Sequence, residues 1–389
     1  MMMPEVQDIF ERYGREYQRK HPMSPEQYKA MMSIINCRTA RLGGHVDECG
    51  ECGYIQISYN SCRNRHCPKC QTFLKEKWID ARKEELLPVP YFHVVFTIPK
   101  ELNMIAYQNN KKVYKILFDA VAGTLTELTA DPKHLGAQIG FISILHTWGQ
   151  NLMHHPHIHC IVPSGGLTPE GKFKTGGSEF FIHVNVLSGK FRGKFLWMLN
   201  KAYEARGLKF YGSMLEYGHD QCFQDLLNSV RIKDWVVYCK ETFNGPEAVI
   251  EYLGRYTHRV AISNNRIMDI EDGNVTFKWK DYRDKKIKVM TITAEEFIRR
   301  FLMHILPSGF MKIRYYGLLS NRNRNTKLKQ CRIAAGYEHS KSQFKGLHAV
   351  EIIKILTGKD VTVCPRCGKG KMRTRQIIAP MTTSPPVAV

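Results

Sequence analysis

The sequence has no apolar run near the 18 or so residues that a membrane-crossing helix needs. Residues 1–10 lack the layout of a signal peptide, so the expected setting is cytoplasmic, with no membrane partner. No internal repeat or long low-complexity segment is present, and only residues 382–389 read as disordered. A disordered chain, a collagen and a disulfide mini-protein are all excluded by 43% hydrophobic content over 389 residues. Negative charge is the scarce sign. Asp and Glu number 36 against 57 Lys and Arg, a formal net charge of +21. A surplus of that size favours a polyanionic partner.

The surplus is uneven. Residues 1–90 hold 14 basic and 12 acidic side chains, whereas residues 307–389 hold 16 basic against 3 acidic. A concentrated positive field is the footprint of phosphate-backbone binding, whose strength comes from counterion release. Aromatics interleave with the charges from Phe310 to Tyr316 around Lys312 and Arg314. That pattern suits stacking on unpaired bases and equally a core strand. Arg322 and Arg324 continue the basic run.

Six of the 12 cysteines fall between residues 37 and 70. They read Cys37, His45-x3-Cys49-x2-Cys52, Cys62-x3-His66 and Cys67-x2-Cys70. Two such knuckles point to structural zinc, because each brings two thiolates to one tetrahedral ion. Eight ligands suffice for one or two ions. The expected grouping is Cys49, Cys52, Cys67 and Cys70, with Cys37, His45, Cys62 and His66 for a second. Either histidine would serve instead as a phosphate contact, given Arg63 and Arg65 beside His66. A third knuckle, Cys364-x2-Cys367, has no following pair. It reads as half a site completed by Cys331 or a histidine, or as a metal-free turn. Cys160, Cys222 and Cys239 sit in apolar surroundings and read as core thiols.

Residues 1–36 read as helical with Pro22 and Pro25 interrupting, and 71–87 as a helix ending before Pro88. Strands are expected at 91–98, 140–147, 157–162, 234–240, 266–270, 275–280 and 286–292, and helices at 102–130, 189–206, 214–230, 246–258 and 294–306. This gives three units: a helical and zinc-binding domain over 1–90, a catalytic domain over 91–306 and a basic region over 307–389.

Two segments carry chemistry. In His154-His155-Pro156-His157-Ile158-His159, residues two apart on a strand project from one face, so His157 and His159 point together. Two imidazoles on one face bind a divalent cation and leave positions open for catalysis. The absence of thiolates there suits a harder metal than zinc. In the second segment, Tyr252 and Tyr256 are four apart on an expected helix and share a face. Arg255, His258 and Arg259 beside them are poor core residues and good phosphate partners.

A His-hydrophobic-His strand followed by a helix with two tyrosines resembles the HUH single-strand endonucleases. The whole pattern is similar to the rolling-circle insertion-sequence transposases of the IS-ninety-one type. The matching stretches are residues 37–71, 87–99, 149–166, 252–264 and 304–323, in family order; the last 60 residues match less specifically. The resemblance implies an α+β fold, an HUH-endonuclease-like antiparallel sheet flanked by helices, behind an N-terminal zinc-binding module. It implies that His157 and His159 hold Mg²⁺ or Mn²⁺ at a scissile phosphate, and that Tyr252 and Tyr256 are nucleophiles forming 5′-phosphotyrosine links. Gln150 is the expected third ligand, with Glu247 or Glu251 as alternatives. The implied partner is single-stranded DNA at element ends and target sites, which would place the protein at the nucleoid. Arg63, Arg65, Arg255, His258, Arg259, Lys312, Arg314, Arg322 and Arg324 are the expected DNA contacts, and the oligomeric state is left open.

Other readings weigh less. A relaxase or rolling-circle replication initiator shares the chemistry but not the zinc module. A non-enzymatic zinc-finger DNA binder leaves both the His and the Tyr pair idle. A zinc deaminase needs His-x-Glu before its cysteine pair, which neither knuckle has. Gly166-x4-Gly171-Lys172 imitates a phosphate loop, but Phe173 stands where a Ser or Thr should hold Mg²⁺, so a loop is expected.

Overall fold

Prolines set the first boundaries. Helix α1 (Val6–Lys20) ends before Pro22, and α2 (Pro25–Ile35) starts with Pro25 in its first turn behind a Ser24–Gln27 capping box. A computed structural model of the chain describes residues 4–177, 182–241, 248, 250, 251, 254, 261–281, 284–337 and 342–381, the side chains of residues 71 and 72 excepted. Strands β1 (Gly44–Cys49) and β2 (Ile55–Tyr59) follow, then α3 (Gln71–Lys83) leads to β3 (Tyr91–Thr97).

The expected helix over 102–130 is two helices, α4 (Asn103–Gln108) and α5 (Asn110–Ala130). Asn109 breaks it, because its amide is committed to the backbone of Lys209, accepting from the N–H and donating to the carbonyl. Strands β4 (Gly140–Trp148) and β5 (His154–Pro163) come next. The hairpin of β6 (Gly165–Leu167) and β7 (Phe173–Thr175) then occupies the false phosphate loop. Helices α6 (Val184–Glu204) and α7 (Asp220–Arg231) lead to β8 (Val237–Glu241). The start expected for α7 at residue 214 is a 3-10 turn that stops at Gly218.

Strands β9 (Ile267–Glu271), β10 (Asn274–Lys280) and β11 (Ile287–Thr293) form an antiparallel meander closed by α8 (Ala294–Leu302), whose Thr293 cap accepts from the N–H of Glu296. After β12 (Ile313–Gly317) come α9 (Lys327–Ala334), α10 (Ala349–Thr357) and β13 (Met372–Ile378).

The central sheet has the order β12-β4-β5-β3-β8, every neighbouring pair antiparallel. One face is covered by α5 and α6 through Phe92, Val94, Phe96, Phe141, Leu145, Ile158 and Val162, all nearly inaccessible. Burying each such side chain contributes about 1.5–3 kcal/mol, which makes this face the main source of cohesion. The other face carries His146, His157 and His159, because the register aligns His146 with His157 and Ile144 with His159. Its far end is apolar: Ile142, Ile144 and Ile161 pack with Ile79, Leu86 and Leu87 from α3 and the turn after it.

Hydrophobic clusters join distant parts of the chain. Helices α1 and α2 share a cluster with the β9–β11 meander and α8, for example Phe10 edge-on to Phe301 at 5.1 Å. The basic segment after residue 306 is divided. Its first strand, β12, is an edge of the central sheet, and its last, β13, pairs with β1 to make the sheet β13-β1-β2.

Candidate active site and metal centres

Antiparallel register brings a third imidazole to the pair expected from sequence. The ligand nitrogens of His146, His157 and His159 all lie within 4.8 Å of one another. Ring centroids are 4.4 Å apart for His146 and His159, and 4.8 Å for His157 and His159. His157 Nδ1 donates to the carbonyl of His155 at 2.7 Å, which fixes the tautomer and leaves its Nε2 as the ligand atom. Trp148 stacks on His146 at 4.8 Å. Loss of solvent pulls His157 down to about 4, so its imidazole is neutral and able to ligate.

Beneath the group, His304 Nε2 donates to the carbonyl of Leu152 and His304 Nδ1 accepts from Thr147. His154 Nε2 meets the hydroxyl of Tyr114 at 2.9 Å. Burial pulls these two down as well, His304 to about 4 and His154 to about 3. His154 therefore supports the site from inside the core, whereas His155 is only half-buried.

Gln150 lies in the turn after β4, where its backbone carbonyl accepts from Arg266 at 2.5 Å. Among the described His, Cys, Asp and Glu side chains, the one that groups with the pair is His146, four positions upstream. Its signal in the sequence was a single histidine at the end of the mostly apolar run Phe141-Ile142-Ser143-Ile144-Leu145-His146. Only strand pairing distinguishes it from a core histidine. Glu251 is turned to Lys83, 3.0 Å away, and Glu247 lies outside the described residues.

Tyr252, Arg255, Tyr256, His258 and Arg259 also lie outside the described residues. Residues 248, 250, 251 and 254 are helical, and Ile250 is buried among Ile79, Ile142, Ile144 and Ile161, on the histidine-bearing face of the sheet. A Cβ on Gly254 would stand 2.3 Å from Ile79 Cδ1, so any side chain there would have to displace Ile79 of α3.

The cysteines form two groups of four, and the grouping differs from the expected one. Cys37, Cys62, Cys67 and Cys70 make the first; Cys49, Cys52, Cys364 and Cys367 make the second. Each knuckle thus keeps its own pair, but Cys49–Cys52 is joined by the distant Cys364–Cys367 rather than by Cys67–Cys70. Sulfur separations are 3.5 Å for Cys37–Cys70, 3.6 Å for Cys62–Cys70, 3.8 Å for Cys49–Cys367 and 3.7 Å for Cys52–Cys364. The edge of a tetrahedron around zinc with Zn–S of about 2.3 Å is about 3.8 Å, so the donor sets fit the ion.

Backbone N–H groups also point at the sulfurs, from Glu51 to Cys49 and from Gly370 to Cys367. The Gly370 and Lys369 amides bring Cys367 down to about 6. A hydrogen bond from the Cys62 thiol to the Cys37 sulfur holds Cys62 up to about 12. His45 and His66 fall outside both groups. His45 pairs with Asp47 at 3.1 Å, and His66 Nε2 is buried without a hydrogen-bond partner among the described residues.

Several expected DNA contacts are spent inside the protein. Arg65 donates to the carbonyls of Phe310, Leu306 and Pro307 and so ties the cysteine module to the segment entering β12. Arg314 lies 4.1 Å over the Phe118 ring, and Arg324 pairs with Glu85 at 3.0 Å. Lys312 is partly buried and brought down to about 7 by desolvation, with Arg65 adding to it. Arg63 and Arg322 are exposed.

An antiparallel α+β sheet with a three-imidazole face, joined to a four-cysteine module, defines a metal-binding protein built on a zinc-binding domain. Comparison with known proteins places it further. Residues 9–98 match the family described as "Transposase zinc-binding domain", and residues 140–327 match the family described as "Putative transposase". The chain is 50% identical over 388 residues to "Putative transposase y4qJ" of Sinorhizobium fredii, covering 98% of this chain and 97% of that protein. It is 28% identical over 303 residues to the transposase for insertion sequence element IS801 of Pseudomonas savastanoi pv. phaseolicola, covering 76% of this chain and 71% of that one. Two structures of the conjugative relaxase TrwC in complex with oriT DNA overlap it at 12% identity. They cover 42% and 66% of this chain and 68% and 96% of theirs, with TM-scores of 0.22 and 0.25. The chain belongs to the transposases of the IS-ninety-one type.

Proposed function

We propose that this transposase nicks and rejoins single-stranded DNA at a site built from the three-imidazole face and the tyrosine helix. The observation that carries the reading is the convergence of His146, His157 and His159 on one face, with Ile250 of the tyrosine helix packed on that same face. The three imidazoles would hold Mg²⁺ or Mn²⁺. Such a cation polarises a non-bridging phosphoryl oxygen and offsets the charge that builds in the transition state.

Tyr252 or Tyr256 then attacks the scissile phosphorus through its hydroxyl oxygen. The Tyr O–P bond forms, the bond to the 3′ oxygen breaks, and the phenolic proton leaves. The products are a 5′-phosphotyrosine and a free 3′-OH. Because the link keeps the energy of the phosphodiester, a 3′-OH attacking it restores DNA without ATP. Two tyrosines four residues apart allow a second strand to be held while the first waits. Structural zinc at the two cysteine groups holds the module that accompanies this site.

Incubation with single-stranded element ends and Mn²⁺ tests the reading. Covalent protein–DNA adducts are expected, lost in the double variant Tyr252→Phe, Tyr256→Phe and lost in His157→Ala plus His159→Ala. Adducts that persist in the tyrosine variant would overturn the nucleophile assignment, and unchanged cleavage in the histidine variant would overturn the metal site.

A further inference from the structure

Among the imidazoles at this end of the sheet, the proposed reaction gives no task to His93. It sits on β3, one strand beyond β5, 9% exposed and with the edge of Tyr238 against its ring. Its Nε2 is 2.8 Å from Nδ1 of His159, and the two rings are nearly parallel, 7° apart at a centroid distance of 5.1 Å. We propose that His93 is a positioning residue for His159, holding it as the tautomer that ligates through Nε2 by accepting its Nδ1 proton as a neutral group. This rests on the three-imidazole reading above.

Counting protons leads there. One hydrogen sits between the two nitrogens. If it belonged to His93, Nδ1 of His159 would be an acceptor, and the remaining proton of that neutral ring would occupy Nε2 and block it as a ligand. Ligation through Nε2 therefore puts the shared proton on His159 Nδ1, and His93 presents a lone pair. An imidazolium has none, so His93 acts neutral, its own proton on Nδ1. His157 meets the same need through the carbonyl of His155. Ligating histidines commonly donate to carboxylates, which raise ligand basicity and tighten the metal. Here both acceptors are uncharged, and among the described residues no carboxylate joins the three-imidazole group. Uncharged acceptors leave more of the cation's charge for phosphate, with a weaker hold on the ion.

Mn²⁺ titration of the zinc-loaded full chain, followed by the EPR signal of free Mn²⁺, tests this without reference to activity. His93→Leu, which removes the acceptor, is expected to weaken Mn²⁺ binding about 10–100-fold. His93→Gln, whose amide oxygen reaches the place of Nε2, should bind within about threefold of wild type, and His93→Glu, which adds charge, more tightly than His93→Gln. Equal affinities across the series would overturn the proposal, as would His93→Gln falling as far as His93→Leu. Zinc content and thermal melts check the fold. If His93→Leu does not fold, the Glu and Gln variants decide: tighter binding by Glu supports the role, and equal binding overturns it. His157→Ala in the same titration separates the premises. If it binds as well as wild type, the three-imidazole site itself falls; if it loses Mn²⁺ while the His93 series stays flat, only the positioning role does.

Discussion

His146 shows what register adds to a residue. Leu145 precedes it and Thr147 follows it, and only the pairing of β4 with β5 sets it opposite His157. We expect His146→Ala to lower Mn²⁺ affinity and adduct formation at least about tenfold, on the scale of losing a ligand, with Gln150→Ala within about threefold of wild type. Isothermal titration with Mn²⁺ on both variants checks this, and the reverse order would return the third-ligand role to Gln150. The His-x-His pair was legible because alternation along one strand suffices to place it. The third imidazole was not, because its position depends on a second strand. The arginines divide in the same way. Sequence gave Arg63, Arg65, Arg314, Arg322 and Arg324 equal standing as DNA contacts, yet three of them serve carbonyls, an aromatic ring or Glu85. For the two exposed ones, Arg63→Gln and Arg322→Gln should each reduce the slope of log K against log salt on single-stranded DNA by about 0.7.

Among the elements, the contact of α3 with Gly254 is the sensitive joint. Gly254→Ala would drive a methyl group into Ile79, a cost of about 1–3 kcal/mol if the helices stay in place. Adduct formation should fall and the melting temperature drop, and adding Ile79→Ala, which removes the obstructing atoms, should restore part of both. No recovery would show that Gly254 matters for another reason.

A pair of buried histidines, His154 on β5 and His304 just after α8, carries a pH dependence. His154 and His304 are buried and neutral, with folded values of about 3 and about 4 against about 6.5 in the unfolded chain. Their folded pKa values are depressed, so the unfolded state binds protons first as pH falls. Stability is complete above about 6.5 and lost progressively toward 4. Melts at pH 7.5, 6.0 and 4.5 should show the decline, and His304→Gln should flatten it. Most of these elements were readable from periodicity and from punctuation by Pro22 and Pro25, but the stop at Gly218 inside the helix expected from residue 214 was not. The break at Asn109 was not, since its cause lies 100 residues away at Lys209.

The molecule as a whole is tied together by its ends. A basic region of 83 residues looked like a separate DNA-binding unit because its charge differs from the rest, but charge says nothing about which sheet a strand joins. The second cysteine group joins knuckles more than 300 residues apart. Replacing Cys364 and Cys367 with Ser should lower zinc content from two ions per chain to one, as should replacing Cys49 and Cys52, and combining the two changes should cost no further zinc. A loss of both ions from either pair would mean that the groups are not independent.

The order of synthesis gives that pairing a further meaning. Cys52 emerges from the ribosome 312 residues before Cys364, its neighbour in the second group. At about 5–20 residues per second, that is a wait on the order of 15–60 s. The first group can fold around its ion early, whereas the knuckle on β1 stays open until Cys364 and Cys367 are made. A chain cut short by a nonsense codon or frameshift never closes it. Such fragments would carry a half-built module, marked for proteolysis by its exposed thiols and unpaired strand edge, and would compete poorly with intact transposase for element ends.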